Sequence, residues 1–276
     1  MRNPIADKNR ASWNAYSAGY TALEHTDRKI QAIADNPASA FHHTTWALLR
    51  SVLPDFAGLR VCVPSSGDNH AAFAFAQLGA RVTSCDISEN QLASAERIAR
   101  QRGWDIDFRQ ADTMTLENVP SSAYDLVYAS NGVHVWINDL PAMYQSIARI
   151  LQPGGWYALY EIHPFQRPFA DRLWEQPTVQ KSYDCTGPFE SEDNVTFHWR
   201  LQDMLNALLG AGLTLRRLEE LFAEKDYEDP DWIPCEQKVE EPNRVYDRAE
   251  VDRMYDWRYN PMAALPQLFS VLAEKK

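Results

Sequence analysis

The chain has 276 residues, 45% apolar and 24% charged, which is the balance of a folded globular protein with a full core. Lys plus Arg is 27 against 38 Asp plus Glu, a net charge of −11. No block of basic residues offsets it, so the composition argues against a nucleic-acid partner. No apolar run approaches the roughly 20 residues that cross a bilayer, and Met1–Lys8 has no apolar leader core. The cysteines at 62, 85, 185 and 235 form no CxxC pair. They read as reduced thiols of a cytoplasmic protein, and no metal site is expected.

In chain order, residues 1–50 read as helical, with aromatics at Trp13, Tyr16, Tyr20 and Trp46. Leu59–Pro64 is a short apolar run ending in turn residues, which suits a buried strand. His70–Leu78, rich in Ala and Phe, predicts a helix closed by Gly79. Ala80–Cys85 is the next strand. Ser88, with Gln91 three positions on, predicts a capping box opening a helix that stops at Gly103. Ile106–Gln110 and Tyr124–Ala129 follow as strands. Leu140–Leu151 reads as a helix halted by Pro153-Gly154-Gly155, before a fifth strand at Trp156–Glu161. Strands alternating with helices imply an α/β fold, a parallel sheet wound on both faces.

Beyond His163 the pattern changes. Residues 164–193 lack periodicity, and Val195–Arg200 is a candidate extra strand. Leu201–Leu209 is a helix ended by Gly210 and Gly212. Thr214–Leu221 and Gln267–Ala273 are strands, and the acidic, Pro-containing stretch 222–262 between them reads as a long loop or lid. This divides the chain into an N-terminal helical cap (1–50), a nucleotide-binding core (51–163), a lid (164–200) and a C-terminal part completing the sheet (201–276).

The chemistry concentrates where strands end. Between the first strand and first helix lies Val63-Pro-Ser-Ser-Gly-Asp-Asn-His70, where a doubly wound sheet holds a nucleotide-like ligand. Ser65 and Ser66 are small, and Gly67 and Asn69 tolerate left-handed backbone. Asp86, about 19 residues beyond Gly67, ends the second strand, at nearly the roughly 20-residue spacing from which a carboxylate reaches ribose hydroxyls. Asp112, in Ala111-Asp112-Thr113 after the third strand, is placed to accept from an adenine amino group. His134, His163 and Glu161 follow strands four and five at the same edge. The histidines are candidate general bases and Glu161 a candidate for orienting an acceptor; pocket wall and structural carboxylate are the alternatives.

These segments resemble the class I S-adenosylmethionine-dependent methyltransferases. Val61–Ser88, reading VCVPSSGDNHAAFAFAQLGARVTSCDIS, is similar to their first two motifs. Ala111-Asp112 resembles the adenine-contacting motif, Tyr124–Asn131 the fourth-strand motif, and Leu151-Gln-Pro-Gly-Gly-Trp156 the turn before strand five. The style is that of the small-molecule branch that includes ubiquinone- and menaquinone-type methyltransferases. The first motif departs from the family's acidic-GxGxG: Val63 takes the acidic place, Ser65 the first glycine and Asn69 the third.

The resemblance implies a mostly parallel, doubly wound seven-stranded sheet and S-adenosylmethionine as cofactor. It further implies that Ser65, Ser66, Gly67, Asp68 and Asn69 form the cofactor loop, that Asp86 holds the ribose and that Ile87 packs on the adenine. Ala111, Asp112 and Thr113 would take the adenine edge and Asn131 the methionine end, with Tyr16 or Tyr20 closing over it. The implied activity is methyl transfer to a small-molecule acceptor by a monomer or homodimer. The alternative is a non-catalytic partner subunit that keeps the fold while the altered first motif has lost the cofactor.

Overall fold

The computed structural model describes residues 3–169, 178–222 and 245–276. In chain order its strands are β1 (Arg60–Val63), β2 (Arg81–Asp86), β3 (Ile106–Gln110), β4 (Tyr124–Ser130), β5 (Leu151–Ile162), β6 (Phe189–Glu190), β7 (Val195–Thr196), β8 (Leu213–Leu221) and β9 (Leu268–Lys275). The helices are α1 (Pro4–Glu24), α2 (Asp27–Asp35), α3 (His43–Val52), α4 (His70–Gln77), α5 (Glu89–Arg102), α6 (Leu140–Ile150), α7 (Leu201–Gly210) and α8 (Arg248–Met254). Seven strands form one sheet in the order β3-β2-β1-β4-β5-β9-β8. Only β9 runs antiparallel to its neighbours. The mostly parallel seven-stranded sheet is therefore as the sequence implies.

Strands buried on both faces explain the near-continuous apolar runs. Along β4, Val127 and Ala129 enter one hydrophobic layer while Leu126 and Tyr128 enter the other. In β1, Cys62 faces the first layer and Val61 and Val63 the second. Phe56, Phe73 and Phe75 fill the second layer, all essentially inaccessible. Each side chain of this size contributes about 1.5–3 kcal/mol by leaving water. Chain direction reverses its march across the sheet between β1 and β4, so a crevice opens beyond their carboxyl ends.

Four local expectations are corrected. Pro153-Gly154-Gly155 does not precede the fifth strand but lies inside β5, as a bulge: Tyr124 pairs with Leu151 and Leu126 already with Trp156. A side chain at Gly155 would meet the Gln152 and Tyr124 carbonyls at 2.9 and 3.0 Å, so the bulge needs glycine there. The Val195–Arg200 strand shrinks to β7, which pairs with β6 in a hairpin and not with the main sheet. The Ser88 capping box is half made: Ser88 Oγ accepts from the Gln91 N–H, but the Gln91 side chain does not return the bond. The stretch 222–262, read as a loop, contains α8, N-capped by Asp247. Residues 223–244 of that stretch and 170–177 of the lid lie outside the described residues.

Candidate cofactor and active site

The loop after β1 makes its turn with left-handed residues at the expected places. Ser65, Gly67 and Asn69 have φ of 47°, 50° and 61°. A non-glycine residue there costs roughly 1–2 kcal/mol, and side-chain bonds offset it. Ser65 Oγ meets Thr113 Oγ1 at 2.7 Å, and Asn69 Nδ2 donates to the Gly67 carbonyl at 3.0 Å. The departure from GxGxG thus preserves the turn. Asn69 is fully buried and bonded to Ser84 on β2. It braces the loop from behind instead of lining the cleft, which corrects its assignment as a cofactor contact.

Asp86 organises this edge. One carboxylate oxygen accepts from the Gly67 N–H at 3.0 Å and the other from the Ser88 N–H at 2.8 Å, tying the loop to the start of α5. Burial pushes its carboxyl above the usual range, against the pull of the N–H groups of Ser88, Gly67 and Ile87. Asp112 is likewise raised by burial while accepting from the Met114 N–H at 2.9 Å. Both carboxylates, with Ile87 and Thr113, line one cleft at the carboxyl ends of the strands, the place where open α/β sheets bind small ligands.

Ser65, Ser66, Gly67 and Asp68 form the floor of this cleft, and Asn131 stands at its β4 end. Helix α1 is the roof, contributing Ala6, Asn9, Trp13 and Tyr20. Its attachments are specific. Asn9 imitates a strand residue, exchanging bonds with the Val195 N–H and carbonyl at 2.8 and 2.9 Å. Asn14 Oδ1 accepts from Ser88 Oγ at 2.6 Å. Trp13 packs edge-on against both Tyr20 (5.4 Å) and Trp136 (5.3 Å), so the three line the cleft as one aromatic cluster.

Two further predicted contacts are corrected. Tyr16 points away from the cleft: it is 52% exposed and its hydroxyl lies 3.4 Å from Asp193. Tyr20 and Trp13 line the cleft while Tyr16 does not. Ala111 is buried beside the cleft, its N–H spent on the Asp86 carbonyl at 2.9 Å.

The proton-transfer candidates sit behind the cleft wall. His134 is 2% exposed; its Nδ1 donates to Glu161 at 2.8 Å and its Nε2 lies 2.9 Å from the Tyr144 hydroxyl. Glu161 also accepts from the backbone N–H groups of Gly132, His134 and Ile162 at 2.6, 3.2 and 2.8 Å. Burial pushes the Glu161 carboxyl up, but the His134 bond and charge and the N–H bonds outweigh it and hold it below its ordinary value. The unit fixes the turn that presents Asn131 and Gly132, whose φ values are 46° and 82°. His163 is also buried; it accepts from the Phe165 N–H at 3.2 Å and donates to Glu220 at 3.1 Å. Both ring nitrogens of each histidine are engaged within the protein, an arrangement that suits positioning residues.

Sequence reasoning passed over Trp136, Asn9 and Gln91. Gln91 is 1% exposed, lines the cleft, and leaves both its amide oxygen and nitrogen without a partner among the described residues. Its buried, unsatisfied amide fits a polar ligand in this cleft, beside Asp86.

Residues 64–159 match the family described as "Methyltransferase domain". The match begins in the Ser-Ser-Gly loop and ends in β5, on the sheet order found above. Over these residues the chain is similar to the methyltransferase-domain family. Of the proteins it is similar to, a sterol 24-C-methyltransferase of Gibberella zeae is 29% identical over 181 residues, covering 65% of this chain and 45% of that protein. A malonyl-[acyl-carrier protein] O-methyltransferase of Pectobacterium atrosepticum is 31% identical over 115 residues, 41% of this chain and 42% of that protein. The chain thus spans less than half the length of these curated relatives. A crystal structure of an S-adenosylmethionine-dependent methyltransferase from Mesorhizobium loti, 25% identical, superposes with a TM-score of 0.58 over 83% of this chain and 97% of that one.

Proposed function

We infer that the protein binds S-adenosylmethionine and transfers its methyl group to a small-molecule acceptor. The observation that carries this reading is one cleft lined by Asp86, Asp112 and the orphaned Gln91 amide together with the aromatic side chains of Trp13, Tyr20 and Trp136. Asp86 and Asp112 supply acceptors for ribose hydroxyls and an adenine amino group; Ile87 supplies an apolar face. When bound, the cofactor supplies an electrophilic methyl group on a sulfonium. The chain's part is alignment and exclusion of water: the Glu161-braced turn fixes the β4 end of the cleft and the α1 roof covers it. The net charge of −11 and the α1 roof over the cleft support a small, non-polyanionic acceptor. Cys62, Cys85 and Cys185 are free thiols, which supports a cytoplasmic setting. Among the described residues no helix is long and apolar enough to cross a membrane.

Calorimetric titration with S-adenosylmethionine and S-adenosylhomocysteine is expected to give micromolar dissociation constants, about −8 kcal/mol. Absence of binding to both overturns the reading and restores the partner-subunit alternative. The orphaned amide gives a second prediction. Gln91→Met keeps the side-chain length and removes two unsatisfied polar atoms. It is expected to stabilise the ligand-free protein by about 1 kcal/mol in denaturant unfolding while weakening S-adenosylhomocysteine binding at least tenfold. Stability and affinity moving together would contradict a ligand-facing amide.

A further inference from the structure

The last turn of α1 meets the cofactor loop in a reciprocal clasp. His25 Nε2 donates to the Asp68 carbonyl at 2.6 Å, and His70 Nε2 donates to the Glu24 carbonyl at 2.9 Å. The second bond fixes the tautomer of a neutral His70: with Nε2 carrying the proton, Nδ1 presents a lone pair. Nδ1 lies 3.7 Å from Asp68 Oδ2, while Asp68 Oδ1 accepts from the His70 N–H at 2.9 Å. Ligand atoms of Glu24, Asp68 and His70 all lie within 4.8 Å of one another, half-buried. Lys29 holds one Glu24 oxygen at 2.8 Å and leaves the other. With His70 neutral, the two carboxylates and Lys29 sum to one negative charge. A ligand-bearing imidazole anchored through its other nitrogen to a backbone carbonyl is the arrangement that metal sites use to orient histidine.

We propose that Glu24, Asp68 and His70 bind a divalent first-row transition ion of the zinc class, bridging the end of α1 to the cofactor loop. One imidazole nitrogen with two carboxylates suits zinc better than magnesium, which takes oxygen ligands in octahedral geometry. Bonds of roughly 2.0–2.2 Å require the three atoms to draw in slightly, which side-chain rotation of Glu24 and Asp68 supplies. The ion pins the α1 roof beside the loop. The site is independent of any methyl transfer.

The test is calorimetry of the chelator-treated full chain with zinc chloride and with magnesium chloride, without S-adenosylmethionine, beside melting curves. One zinc per chain with micromolar affinity, a raised melting temperature and no magnesium binding are expected. Glu24→Gln, at the half-exposed rim and of the same size, and His70→Ala are each expected to weaken zinc at least tenfold and to abolish the melting shift. A His42→Ala, His43→Ala double variant, removing the adjacent imidazole pair, is expected to keep both. No zinc binding by the unmodified chain, or undiminished affinity in either Glu24→Gln or His70→Ala, overturns the proposal. Loss confined to the His42, His43 variant overturns it too. Failure of S-adenosylmethionine binding would leave these results unaffected.

Discussion

Asp86→Ala is expected to weaken S-adenosylhomocysteine binding more than 100-fold and to lower the stability of the ligand-free protein. The carboxylate does two jobs at once. Inside the protein it accepts from the Gly67 and Ser88 N–H groups at 3.0 and 2.8 Å, and it is only 7% exposed. Hydrogen bonds to a buried charge contribute about 1.5–3 kcal/mol each, so alanine releases the loop and the start of α5 together. Toward the ligand, the remaining lone pairs are the acceptors for ribose hydroxyls. Asp86→Asn separates the two roles only in part, because its amide nitrogen must face one of the two N–H donors. Asparagine is therefore expected to lose affinity nearly as alanine does, with a smaller loss of melting temperature. The ionised form is the one that accepts from both sides. Because burial raises this carboxyl, affinity is expected to fall with decreasing pH at a higher pH than for an ordinary aspartate, and Asp86→Asn should flatten that part of the profile. Calorimetry across pH reads both effects. Unchanged affinity in the alanine variant would remove Asp86 from the site.

The strand-end carboxylates were legible in the sequence because they depend on local signals: an apolar run, a turn and a spacing of about 20 residues. The parallel, doubly wound character of the sheet was legible from the strand–helix alternation. The roof was legible as helix but not in its orientation. Tyr16 and Tyr20 both read as candidate closers, and the packing of Tyr20 on Trp13, itself against Trp136, selects Tyr20. Gln91 was hidden by a competing local role. At the third position after Ser88 it satisfies a capping pattern, yet the structure leaves its amide unbonded and turned to the cleft. Asn69 failed in the opposite direction. Its left-handed backbone was read correctly, but the side chain bonds Ser84 and Gly67 behind the loop, a choice made by β2 and invisible in the loop's own residues. For the histidines, a strand-end position fixes the edge of the sheet but not which nitrogens are already engaged. Glu161 and Tyr144 claim those of His134 from elements 27 and 10 residues away.

That arrangement makes the second large prediction one of stability. His134→Ala is expected to cost about 3–5 kcal/mol in urea unfolding, the penalty for leaving a buried carboxylate without its partner. The 2% exposure of both side chains leaves no water to replace the imidazole. Glu161→Gln removes the charge but also leaves Gly132, His134 and Ile162 N–H groups sharing one weaker acceptor, so a smaller loss is expected. The pH dependence separates the two variants. Glu161 has a folded value held below its ordinary one, with His134 the principal partner opposing burial. Its stabilising contribution is therefore fully present above the unfolded value, near ~4.3, and is lost as pH falls through the lowered folded value. The stability gap between the unmodified chain and Glu161→Gln should hold constant at neutral pH and narrow in that acidic window. If the unit positions the Asn131–Gly132 turn, both variants should bind S-adenosylhomocysteine more weakly as well as unfold more readily. A His134→Ala variant with unchanged unfolding and unchanged cofactor affinity, yet no methyl transfer, would instead return the imidazole to the role of general base, since alignment and stability would both have survived its loss.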